Sequence, residues 1–186
     1  MKHSIYQRLA CCAMALLAPL AAFAADGAID VSGTIVNTTC TINVDGSGAN
    51  AATVNLPAVS AGSLRQSGDV AGPMPFTIQT MCLQPLSLTA SSIYWEPNGA
   101  LIDMTTGNLL NLAPGGAANV QIQLLASGTP LALNRGPGQQ NHPVATGLTP
   151  GHYYLISWPY AARYYATGQA TPGAVSGYAT FTVVYS

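Results

Sequence analysis

The chain has 186 residues, of which 49% are apolar and only 6% charged, with a formal net charge of −1. So few charges, with no positive excess, exclude electrostatic capture of nucleic acid or of an anionic membrane surface. The apolar residues gather in short runs, which excludes a disordered chain as well.

Residues 1–24 read as a secretory signal. Lys2 and Arg8 precede an apolar stretch from Leu9 to Ala21, and Ala22-Phe23-Ala24 supplies the small residues of a cleavage site. A membrane anchor is the alternative, but Pro19 interrupts the run and Asp26 follows it, short of the roughly 20 apolar residues that a spanning helix needs. Cys11 and Cys12 lie too early, behind Arg8, for a lipoprotein attachment point and leave with the signal. Cleavage before Ala25 leaves 162 of the 186 residues, the size of one domain. That portion carries Arg65, Arg135 and Arg163 against Asp26, Asp30, Asp45, Asp69, Glu96 and Asp103, a net charge of −3 with no lysine. Its surface must therefore be built largely from Thr, Ser, Asn, Gln and Gly.

From Ala25, the residues Ile29, Val31, Gly33 and Ile35 alternate with Asp30, Ser32 and Thr34, the period of a half-buried strand. Further strand-like runs follow at 39–44, 52–56, 74–81, 86–95, 119–125, 152–165 and 177–185. Asp45-Gly46-Ser47-Gly48, Pro97-Asn98-Gly99, Pro114-Gly115-Gly116, Gly136-Pro137-Gly138 and Pro150-Gly151 are the reversals between them. The segments 57–73 and 134–151 are the long loops, and no capped amphipathic helix follows the signal. Short strands divided by Gly/Pro turns predict an antiparallel β-sandwich. In the last run Phe181, Val183 and Tyr185 alternate with Thr180, Thr182 and Val184, and the sequence stops at Ser186. A chain that opens on a strand without an obvious partner and closes on another would polymerise by donating one strand and lacking another.

Cys40 and Cys82 are the cysteines left after cleavage. An even pair in an exported chain is most simply a disulfide, worth roughly 4 kcal/mol on a loop-entropy basis, with two free thiols as the alternative. The aromatic cluster Tyr153, Tyr154, Trp158, Tyr160, Tyr164 and Tyr165 can be read as a sugar-stacking platform or as core and subunit contacts, and strand preference favours the second. Catalysis has little support. His142 sits beside Pro143 in a loop and His152 opens a Tyr-rich strand, and neither belongs to a metal-ligand pair or a triad. There is no G-x-S-x-G motif, and after cleavage no lysine for a Walker site or Schiff base. Asp45-Gly-Ser-Gly opens like a calcium loop, but Leu56 stands where a bidentate Glu is needed, so it reads as a turn. Asn37-Thr38-Thr39 fits a glycosylation triplet, but such triplets are common by chance. The expectation is a non-enzyme without metal or cofactor.

Taken in order, Gly33-Thr-Ile-Val-Asn-Thr-Thr-Cys40, Val54-Asn-Leu56 and Phe76-Thr-Ile-Gln-Thr-Met-Cys82 resemble the front half of type 1 fimbrial subunits. At the other end, Gly173 stands fourteenth from the C-terminus and Tyr185 is penultimate, with Phe181 and Val183 between, resembling the C-terminal pilin motif. The resemblance implies an all-β, incomplete immunoglobulin-like antiparallel sandwich lacking its last strand. Residues 25–36 would be an N-terminal donor strand and residues 37–186 the pilin domain. It further implies a periplasmic chaperone that fills the groove temporarily, an outer-membrane usher, and neighbouring pilin subunits, alike or different, whose extensions replace the chaperone strand. On that pattern Ile29, Val31, Gly33 and Ile35 enter a neighbour's groove, and Phe181, Val183 and Tyr185 border the chain's own. The carboxylate of Ser186 meets basic chaperone residues, and Cys40–Cys82 joins the first two strands. The span from Ala25 through Cys40 resembles that of a short-tailed minor or adaptor subunit. The implied function is a structural subunit of a cell-surface pilus that supports adhesion. A receptor- or glycan-binding module on the same scaffold is the alternative, with any host receptor unidentified.

Overall fold

The computed structural model describes residues 40–83, 90–146 and 153–185. The signal at 1–24, the donor run at 25–36, the triplet at Asn37, the turn at Pro150-Gly151, His152 and Ser186 lie outside the described residues. Eight strands follow in order: β1 (Cys40–Val44), β2 (Val70–Leu83), β3 (Ala90–Trp95), β4 (Val120–Ala126), β5 (Thr129–Pro130), β6 (Ala145–Thr146), β7 (Tyr153–Ala166) and β8 (Phe181–Tyr185). The described helical structure is a single 3-10 turn at Ala61–Ser63, capped by the Ser60 side chain, which accepts from the Gly62 N–H at 3.1 Å. Every strand pairing is antiparallel. One sheet runs β1-β2-β7-β4-β5 and the other β6-β3-β8, the two-layer arrangement expected from the sequence.

Period-2 alternation places the core between the layers. From the larger sheet Phe76, Ile78, Ile156, Trp158, Tyr160 and Ala162 point inward, and Ile93 and Trp95 face them from the smaller one. Phe76 stacks on Tyr160 with ring centres 5.5 Å apart, and Trp95 meets Tyr160 edge-on at 5.4 Å. Trp158 and Tyr160 are therefore core residues and cannot serve as a sugar platform. The long strands tolerate their prolines because of where these fall. β1 reaches β2 only from Ile78, beyond Pro75, and β4 reaches β7 only as far as Tyr160, short of Pro159. Cys40 and Cys82 are directly opposite one another in β1 and β2 and are disulfide-bonded.

The structure departs from the sequence reading in specific places. The run 52–56 is not a strand: Val54 and Leu56 pack against the core, but no neighbouring strand pairs with the segment among the described residues. The last strand starts at Phe181, not at 177. β2 begins at Val70, inside the expected loop 57–73, with an irregularity between Ala71 and Met74 where Gly72 takes a φ of +60°. β6 lies inside the expected loop 134–151. A tight hairpin over residues 101–110 was not anticipated. It is held by the Leu110 N–H to Leu101 C=O bond at 2.8 Å and carries Leu109 into a bridge with Ile122 of β4.

Candidate functional site

An apolar groove of about 660 Å³ lies between the two sheets. Its floor is the inward face of the larger sheet, through Val44, Phe76, Ile78, Ile122 and Leu124, with Trp95 from the other layer. One wall is the extended segment Asn50–Leu56 and the other is Gly177–Phe181, which leads into β8. Neither wall is satisfied as a strand should be. β8 pairs with β3 on one side, through Ser91↔Tyr185 to Trp95↔Phe181, and with nothing on the other among the described residues. Residues 52–59 make no backbone-to-backbone hydrogen bond among the described residues. An open edge of this kind is a liability, because its unpaired N–H and C=O groups are a template for another strand.

The residues expected to border a groove are partly brought together. Phe181 lines it and packs its ring 5.4 Å from Trp95. Val183 and Tyr185 share the face of Phe181 and are likewise only half-buried, whereas Thr182 and Val184 point outward. Partial burial pushes the Tyr185 phenol above its ordinary pKa. Gly173 does not line the groove. It borders a second apolar cavity of about 390 Å³, which shares Leu56 with the first. A Cβ at Gly173 would lie 2.5 Å from the Ala117 nitrogen, so glycine is required there for close backbone approach. Two features escaped the sequence reading: Leu109, brought to the floor beside Ile122 by the unforeseen hairpin, and Gln140. The Gln140 side chain accepts from the Trp95 N–H at 3.0 Å and donates to the Trp95 C=O at 2.6 Å, replacing a strand partner where β6 is too short to reach.

The titratable side chains nearest the groove are held in packing contacts. His142 packs its ring against Trp158 and contacts the Tyr160 hydroxyl, and burial lowers its pKa. Burial raises the Tyr160 phenol strongly. Among the described residues no group of His, Cys, Asp or Glu could hold a metal ion. An apolar trough with hydrogen-bonding edges can do one thing well, which is to take an extended peptide whose alternate side chains are apolar.

The family model described as fimbrial protein matches residues 29–186. The chain belongs to the fimbrial protein family. It is 43% identical over 178 residues to the major fimbrial subunit SMF-1 of Stenotrophomonas maltophilia (strain K279a), covering 93% of this chain and 100% of that protein. The F17 fimbrial protein of Escherichia coli is 40% identical over 168 residues, covering 89% and 90%. The minor fimbrial subunit HifD of Haemophilus influenzae is 34% identical over 181 residues, covering 93% and 80%, so the relatives include both major and minor subunits. Among solved structures, a chaperone-usher pilus superposes with a TM-score of 0.56 at 16% identity, covering 87% of this chain and 96% of that one. The P pilus rod subunit PapA gives 0.55 at 16%, covering 79% and 99%. These likenesses establish the immunoglobulin-like pilin fold. The chain is thus a subunit of a chaperone-usher pilus, exported through the periplasm to the cell surface.

Proposed function

We propose that the groove is an acceptor site completed by a strand donated from another subunit, and that residues 25–36 are the strand this chain donates in turn. The observation that carries the reading is the coincidence of an apolar floor with two unpaired extended walls, Asn50–Leu56 and the β8 side. A strand laid between them satisfies both edges and covers the floor at once. Its inward residues would be Ile29, Val31, Gly33 and Ile35, and each buried aliphatic contributes roughly 1.5 to 3 kcal/mol. Gly33 admits close backbone approach on that face. Before assembly a strand from a periplasmic chaperone holds the groove, with the Ser186 carboxylate on basic chaperone residues, and an outer-membrane usher receives the complex. Residues 1–24 are removed on export, residues 37–186 form the pilin domain, and the finished fibre supports attachment of cells.

The test is to mix Ile35→Asp subunits with the chaperone and count filaments. Loss of fibres from subunits that still bind chaperone is the expected result, and normal fibre yield would remove the donor assignment. The short span before Cys40 is the feature that points to a minor or adaptor position. Long fibres assembled from this chain alone would assign it to the rod instead.

A further inference from the structure

On the back of the groove floor lies a run of buried amides that the folding of a simple sandwich does not require. In β4, Ile122 and Leu124 face the groove, while Gln121 and Gln123 point the other way and are buried all the same, at 6% and 7% exposure. The hairpin 101–110 covers them. Gln121 donates through Nε2 to Asp103 Oδ2 at 2.6 Å, and its Oε1 accepts from Asn108 Nδ2 at 3.1 Å and from Thr106 Oγ1 at 2.8 Å. Asn108, 1% exposed, accepts through Oδ1 from Gln123 Nε2 at 3.2 Å. Gln123 Oε1 then accepts from Arg163 Nε at 2.9 Å and Nη2 at 2.6 Å.

The chain of bonds has a direction. A carboxylate, which only accepts, stands at one end and a guanidinium, which only donates, at the other, so each of the three amides between them has one permitted orientation. The Thr105 N–H holds the Asp103 carboxylate below its ordinary pKa, with Gln121 and Thr106 adding to the effect against burial. The accepting end is therefore ionised at neutral pH.

What this relay fixes is the groove. Asn108 is followed by Leu109, whose N–H and C=O pair with Ile122 at 2.8 and 3.0 Å, and both residues line the floor. Asn111 follows in turn and clamps the opposite wall: its Oδ1 accepts from the Ser176 N–H at 3.0 Å and its Nδ2 donates to the Ala174 C=O at 3.2 Å, just ahead of Gly177–Phe181. The floor is thus hung from the hairpin and the wall from Asn111, the residue that follows it, and the hairpin is seated by the relay. We propose that the buried relay from Asp103 to Arg163 is a positioning device that sets the floor of the acceptor groove and its distance from the β8-side wall before any strand arrives. This rests on the reading of the groove as an acceptor site. A groove held at its final width binds a strand without first having to order itself, which raises affinity with no new contact to the strand.

The experiment measures binding of a fluorescent peptide spanning Ala25 to Val36 to the mature full-length subunit, held dilute to suppress self-assembly and far below its melting temperature. Asn108→Ala should weaken binding about tenfold, the loss expected when a buried hydrogen-bonded amide is removed. Affinity within twofold of the unaltered subunit would overturn the proposal. Gln121→Glu supplies a readout that a merely structural role would not move. At pH 7.5 its carboxylate opposes Asp103 and binding should weaken, whereas near pH 5 the protonated Glu can donate as the amide did and binding should recover relative to the unaltered subunit. Weak binding at both values, or none lost at either, contradicts a directional relay. This variant can be folded at the lower pH and then shifted, so poor folding of Asn108→Ala does not end the test. If the unaltered subunit fails to bind the peptide, the acceptor reading itself fails, which is a different result from equal binding by all three proteins.

Discussion

Strands β7 and β8 carry the same kind of alternating sequence and meet different fates. β7 lies between β2 and β4, and its inward residues Ile156, Trp158, Tyr160 and Ala162 are all buried. β8 has a neighbour on one side, and its inward residues Phe181, Val183 and Tyr185 reach only half-burial. Pattern determines which way a side chain points, and the presence of a second neighbour determines whether it leaves water. The closed half of the molecule thus covers its own apolar surface, while the open half leaves apolar surface only partly covered.

Substitutions on the two halves should respond differently to a donated strand. The largest effect belongs to the closed half: Ile156→Ala, at a buried position of β7 that does not line the groove, should cost about 2 to 5 kcal/mol. Denaturant melts should show that cost with and without the Ala25–Val36 peptide, and a cost that vanishes with peptide would break the distinction. Gly173→Ala comes next, at about 1 to 3 kcal/mol, because its Cβ must force apart two backbones in the packed region beside the second cavity. A stable Gly173→Ala subunit would mean that this junction yields as readily as the open edge. Val183→Ala should cost about 0.5 kcal/mol or less in the empty subunit and two to three times as much with the groove filled, by the same melts. Equal costs in both states would show that β8 does not border the site.

The smallest effect is a pH dependence on the closed side. Burial against Trp158 and Tyr160 lowers the His142 pKa below its ordinary value of 6.5. The unfolded chain therefore binds the proton more readily than the folded one. Stability from this residue is complete above pH 6.5 and falls as the pH drops from there through the lower folded value. His142→Asn should flatten that part of the stability profile, and an unchanged profile would assign the dependence elsewhere.

Strand identity and direction were largely legible from alternation, because inward and outward residues differ in polarity along β2, β3 and β7. Segment 52–56 shows why the rest was not. Val54 and Leu56 do alternate inward, as the pattern demands, but a strand is defined by its pairing, and among the described residues no neighbour pairs with it. The hairpin at 101–110 was hidden for the opposite reason. It buries Ile102, Asn108 and Leu109 with no period-2 alternation, and Asn108 is held by Gln121 and Gln123 of β4, 13 and 15 residues away in sequence, contacts that no local periodicity marks. Gln140 was invisible likewise, since a side chain that substitutes for a strand leaves no strand-like signal. Gly173 was singled out by motif, but its close approach to Ala117 is a tertiary fact.

Amide hydrogen exchange of the mature subunit, recorded before and after addition of the Ala25–Val36 peptide, tests the missing-strand reading most directly. The expected result is fast exchange along 52–56 and the outer edge of β8 in the empty subunit, with protection appearing on both walls together when the peptide binds, and little change in β7. Protection already complete without peptide, or unaltered by it, would contradict an acceptor groove and leave the subunit a self-contained sandwich.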